Sequence, residues 1–267
     1  MRSRLGLLVL ILVACSAPGA STTTRASEPL VSTTAAAPAV AIFAPETKGA
    51  YPVVVMFHGG GWFGGSPIST APLAEYLAGN GVVVFNSTYR TSTGGYPESF
   101  DDIACAIRDA RTEASEYTTT VDEITVVGHS AGAHLGAVVS LSGEIFGGDC
   151  ANSEGVNRFI GLSGVYDPTL YTQLLATFFH TRFENDPEPW KAGNPYTYVD
   201  DNPDLEVLLL HGDDDQIVPM SSSELFAAAL TAAGHNVTLE VIGGGDHQST
   251  RQPDTAGPVI IDFLVGG

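Results

Sequence analysis

The chain has 267 residues, 44% of them apolar, and a formal net charge of −19 from 30 acidic against 11 basic side chains. Such a length and apolar content suffice for one α/β domain with a real core and exclude a disordered chain. The charge excludes a nucleic-acid partner, because a phosphate backbone would be repelled, and points to a solvated acidic surface.

At the N-terminus Arg2 and Arg4 precede an apolar run from Leu5 to Ala14. This pairs a charged n-region with an h-region too short to span a bilayer, which needs about 20 apolar residues. Residues 1–14 are thus expected to be a lipoprotein signal peptide. The tetrapeptide LVAC at 12–15 resembles a bacterial lipobox, where cleavage leaves Cys15 as the lipidated first residue. On that reading the protein is exported and held by a membrane anchor at the cell surface or in the periplasm. An ordinary cleaved signal with an unrelated cysteine is the alternative. Residues 15–39, rich in Ser, Thr, Ala and Pro without apolar periodicity, read as a flexible tether, with the folded domain over 40–267.

From Val40 on, short apolar runs alternate with longer amphipathic ones, the pattern of strands joined by crossover helices in a mainly parallel sheet. Strands are predicted at 51–57, 82–87, 123–128, 158–164, 205–211 and 237–242. Their β-branched, nearly continuous apolar content suits burial on both faces. Helices are predicted at 70–80, 99–114, 130–141, 221–234 and around 256–265, with Gly79, Gly81 and Gly234 at expected stops. Residues 165–204 separate two strands by more than a loop needs and read as a lid-like insertion. Its aromatics, among them Tyr166, Tyr171, Phe178, Phe179 and Trp190, either line a substrate pocket or pack the insertion onto the domain. Cys105 and Cys150 remain as an even pair. An oxidising compartment allows a disulfide between them; two separate buried thiols are the other option, since sequence gives no Cα separation.

The stretch GHSAG at 128–132 matches G-x-S-x-G, follows a predicted strand and opens a predicted helix. Gly128 and Gly132 make room for a sharp turn that holds Ser130 out of the sheet. A helix N-terminus beside it favours developing negative charge. A serine needs a base to take its proton and a third group to orient that base. HGDDDQIVP at 211–219 offers Asp213, Asp214 and Asp215, and GGGDHQST at 243–250 offers His247 with Asp246 as a rival acid.

Together HGGGW (58–62), GHSAG, HGDDDQIVP and GGGDHQ resemble the α/β-hydrolase superfamily in order and spacing from about Tyr51 on. GHSAGAHL is similar to the bacterial feruloyl and acetylxylan-type esterases and to arylformamidases, and HGGGW to the hormone-sensitive-lipase-like carboxylesterases. The resemblance implies an α/β-hydrolase fold and a serine carboxylesterase with Ser130 as nucleophile, His247 as base and Asp215 as orienting acid. It also implies an oxyanion hole from the N–H groups of Gly60, Gly61 and Ala131, a structural His58, and no cofactor. His129 is the variable position of the elbow, and His134 is expected to pack behind Ser130. No zinc pattern and no dinucleotide fingerprint is present. The expected substrates are small or polysaccharide-linked acyl esters. An arylformamidase-like amide hydrolase and a non-catalytic surface ligand-binding module are the alternatives.

Overall fold

The computed structural model describes residues 30–32, 40–91, 94–150 and 155–266. Cys15, and with it the signal peptide and lipid anchor, lies outside the described residues. The first strands are β1 (Leu30–Ser32) and β2 (Val40–Phe43), followed by β3 (Val53–Phe57), helix α1 (Ala71–Gly79) and β4 (Val83–Ser87). Next come α2 (Glu98–Glu113), β5 (Ile124–His129), α3 (Ala131–Ser142) and β6 (Arg158–Leu162). After α4 (Thr172–Leu175) and α5 (Glu188–Ala192), the chain ends with β7 (Glu206–Gly212), α6 (Ser221–Ala233), β8 (Val237–Ile242) and α7 (Pro253–Val265).

Among the described residues the strands form one sheet in the order β1-β2-β4-β3-β5-β6-β7-β8. From β4 through β8 all pairs are parallel, as crossover helices between apolar strands require. The antiparallel β1 and β2 were not among the predicted strands. Both are very short, and β1 draws three residues of the stretch read as tether into the sheet. The central strands β3, β4 and β5 are buried throughout. Edge strand β8 instead alternates half-buried and exposed positions, so the expectation of burial on both faces fails there. Its VTLEVI looks like a central strand but has a neighbour on one side only.

The period of two along the strands divides the core. Val53, Val55 and Phe57 of β3 face a layer with α2, α3 and α6. Val54 and Met56 face the opposite layer, with Leu73 and Leu77 of α1 and Ile260 and Leu264 of α7. Helix α3 is buried over its whole length, which explains its small, apolar sequence AGAHLGAVVSLS. Cys105 of α2 and Cys150 form a disulfide, with Cα atoms 4.8 Å apart and 45 residues of separation. Closing a loop of that length removes enough unfolded-chain entropy to stabilise the fold by about 4 kcal/mol.

The insertion at 165–204 sits differently from a pocket-lining lid. Tyr166, Phe178, Phe179 and Trp190 are all at most 1% exposed. Tyr166 stacks on Phe226 with ring centroids 4.2 Å apart, and Phe179 packs on Trp190 at 4.4 Å. These side chains anchor the insertion to the domain, because large rings gain most from leaving water.

Candidate active site

Four loops converge at the carboxyl ends of the parallel strands, where open α/β sheets place their ligand crevices. Strand β3 runs into His58–Trp62, β5 into Ser130, and the neighbouring β7 and β8 into the loops of Asp215 and His247. The sheet order brings Ser130 and His247, 117 positions apart in the chain, within hydrogen-bond distance.

Ser130 joins β5 to α3 with φ 55° and ψ −117°, a conformation that side-chain-bearing residues rarely adopt. The flanking glycines make it attainable. A Cβ on Gly128 would lie 2.4 Å from the Gly132 carbonyl oxygen, and one on Gly132 would lie 2.4 Å from that of His58. Both contacts are far below van der Waals distance, so the elbow, the next turn and the β3 loop pack only without side chains there.

His247 Nε2 lies 2.9 Å from Ser130 Oγ, and His247 Nδ1 lies 2.7 Å from Asp215 Oδ2. The imidazole therefore donates its Nδ1–H to the carboxylate and presents the Nε2 lone pair to the serine hydroxyl. All three residues are at most 8% exposed. Burial pushes the Asp215 carboxyl up, but N–H groups outweigh it and hold the group below its ordinary value: Val218, His247 and Ile217 all donate to it. The two backbone amides reach Oδ1 at 2.9 Å each, which gives the valine of the HGDDDQIVP motif a physical role. The rival Asp246 turns away: its Oδ1 accepts from the amides of Gln248 and Ser249. Asp213 is held by the Gly244 amide and Asp214 by Gln216, so both serve their turns.

The glycine loop is braced from behind. His58 donates from Nδ1 to the Gly59 carbonyl, accepts at Nε2 from Thr88, and stacks on Tyr89 at 4.6 Å. Burial lowers its basicity, which keeps it a neutral strut. Trp62, itself at positive φ, donates from Nε1 to His134 Nδ1 at 3.0 Å. His134 in turn donates from Nε2 to the Gly193 carbonyl at 2.8 Å, so it packs behind the serine as expected and ties the loop to the insertion. A cleft of about 370 Å³ opens in front, with Ser130, His247, Gly60 and Gly61 in its wall; no described residue of the insertion lines it. The Gly60 and Gly61 amides make no hydrogen bond within the described residues, and Ala131, as the first residue of α3, has no intrahelical acceptor.

Two histidines carry roles that sequence reasoning missed. His129, which burial lowers to about 4, donates from Nε2 to the carbonyl of His247 at 2.9 Å and so holds the histidine loop. His211 donates from Nε2 to the Val218 carbonyl at 2.9 Å and lies 3.3 Å from Asp215 Oδ2, while Nδ1 accepts from Ser223. The available signal was the same for both: an apolar strand ending in a histidine beside a candidate catalytic residue. Among the described residues no group of three or more His, Cys, Asp or Glu side chains is arranged to hold a metal ion.

This sheet, elbow and loop order define an α/β-hydrolase. The BD-FAE family model matches residues 40–230, and the chain belongs to that family. It is similar to the esterase LipQ of Mycobacterium tuberculosis, 30% identical over 196 residues that cover 68% of this chain and 46% of the relative. The chain spans about half the length of the curated relatives it matches. A carbohydrate esterase from gut microbiota, in truncated form, superposes with a TM-score of 0.74 at 22% identity, covering 85% of this chain and 90% of the other. Thermogutta terrifontis esterase 2, phosphoramylated by tabun, superposes with a TM-score of 0.70 at 25% identity, covering 90% and 96%.

Proposed function

We propose that the protein is a serine carboxylic-ester hydrolase working through an acyl-enzyme. The observation that carries this reading is the buried relay from Ser130 Oγ to His247 at 2.9 Å and from His247 to Asp215 at 2.7 Å. His247 takes the hydroxyl proton as Ser130 Oγ attacks the ester carbonyl, and Asp215 holds the ring in the required tautomer and stabilises the imidazolium that forms. The N–H groups of Gly60, Gly61 and Ala131 receive the developing oxyanion. His247 then gives its proton to the leaving alcohol. A water molecule, deprotonated by the same nitrogen, next releases the acid and frees the serine.

The similar proteins, an esterase and a carbohydrate esterase among them, support esters of small acids, free or carried on carbohydrate. A cleft of about 370 Å³ is near the small end of ligand pockets and suits a short acyl group. A binding module would need no such relay. Export with a lipid anchor at Cys15 is the matching location: the Cys105–Cys150 bridge supports it, because disulfides persist in oxidising compartments. Turnover of p-nitrophenyl acetate by the full chain beside Ser130→Ala tests the chemistry. Hydrolysis lost in the variant is the expected result; equal rates would overturn the nucleophile assignment.

A further inference from the structure

Among the described residues the cleft wall carries one cation that the relay does not use. Arg251, in the 3-10 turn Ser249–Arg251 between β8 and α7, lines the cleft with Ser69, Ile217 and Gln248. Its Nε donates to Gln248 Oε1 at 2.6 Å, and its Nη1 donates to the carbonyl of Ser69. Both acceptors are neutral, so they aim the guanidinium without cancelling its charge. Its Nη2 makes no hydrogen bond to a described residue.

Three other arginines of this acidic chain behave differently. Arg90 is paired with Asp102, Arg108 with Asp109, and Arg158 with both Glu123 and Glu206. Arg251 has no carboxylate within salt-bridge distance among the described residues, although acids outnumber bases 30 to 11. Its field also reaches the catalytic floor: after burial, it is among the influences that keep His129 neutral.

A guanidinium edge facing a cleft is a two-pronged donor that matches a carboxylate. A neutral hydroxyl would use one N–H but leave the charge without a counter-ion. An anionic ester approaching a protein of net charge −19 is repelled at long range, so its recognition requires a local cation at the binding wall. We propose that Arg251 is an anion subsite, and that the preferred substrates are esters with a carboxylate on the fragment lying against it. This rests on the ester hydrolysis proposed above and narrows its substrate class.

Two matched pairs test it on the full chain. Acetyl esters of 4-hydroxybenzoate and 4-hydroxybenzamide place the charge on the alcohol side; monomethyl succinate and methyl butyrate place it on the acyl side. In one pair the acid should exceed its neutral partner in kcat/KM by about tenfold or more, the effect of one charge-assisted contact. Arg251→Gln should bring that ratio to about one and Arg251→Lys should retain part of it. Added salt should narrow it in the parent. Where the glutamine variant does not fold, the lysine variant and the salt dependence decide. Neutral esters turned over with no acid preference in either pair, or a preference that survives Arg251→Gln, would overturn the subsite alone. No turnover of any of the four by natively folded chain would overturn the ester reading and the subsite with it.

Discussion

Replacing one oxygen of Asp215 by nitrogen tests the relay with almost no change of shape. Every close contact to this carboxylate comes from a donor: the amides of Ile217 and Val218 at Oδ1, and His247 Nδ1 with His211 Nε2 at Oδ2. An asparagine offers one acceptor and one donor, so one side must be mismatched. Turning the amide nitrogen toward Ile217 and Val218 would leave both N–H groups unpaired, at about 1–3 kcal/mol for the buried Val218 amide. Facing it toward His247 is cheaper, because the imidazole can move its proton from Nδ1 to Nε2. That tautomer presents an N–H to Ser130 and cannot accept its proton. Asp215→Asn should therefore lower kcat by about 10⁴-fold, equivalent to about 5 kcal/mol in the barrier. KM should change little, since Asp215 is not in the wall of the cleft. Initial rates with p-nitrophenyl acetate, with Tm as the control for folding, measure this directly. A kcat within tenfold of the parent in a folded variant would refute Asp215 as the orienting acid.

The glycine loop separates packing from catalysis. A Cβ at Gly60 would sit 2.0 Å from the Gly64 carbonyl oxygen, so Gly60→Ala must displace the loop and should lower kcat by about 10²–10³-fold. At Gly61 a Cβ meets nothing within 4 Å; with φ at +60°, Gly61→Ala should fold with a loss of about 1 kcal/mol and keep more activity. Equal losses of kcat in the two variants would contradict this split. Stability should also fall in mild acid. Burial lowers His129 and His134 to about 4, while an unfolded histidine titrates near 6.5. Between these values the unfolded chain binds more protons, so this stability is complete above about pH 6.5. It should decline toward pH 4 by about 1.4 kcal/mol per pH unit for each histidine. Asp215, depressed when folded, adds a further loss only below its unfolded value of about 3.9. Urea melts across this range check it; a flat profile from pH 7 to 4.5 would mean that these rings are not buried in the neutral form.

Local patterns in the sequence were enough to specify the parallel core and the chain order of the candidate site residues. Continuous apolar runs such as VVVMF can be satisfied only by burial on both faces, and G-x-S-x-G between such a strand and a helix has few other uses. These signals are local, carried by neighbouring residues. What required the tertiary structure is the set of pairings between distant segments. The choice of Asp215 over Asp246 depends on where the β7 loop meets the β8 loop. The bridge depends on α2 lying against the Cys150 turn, and the insertion's rings turn inward because the space beside α2, α3 and α6 receives them. His129 and His211 close apolar strands, but nothing next to them in the chain names their partners, and Arg251 has no distinguishing neighbours at all. Their roles arise from a carbonyl, a carboxylate or a missing counter-ion that folding brings, or fails to bring, within about 3 Å.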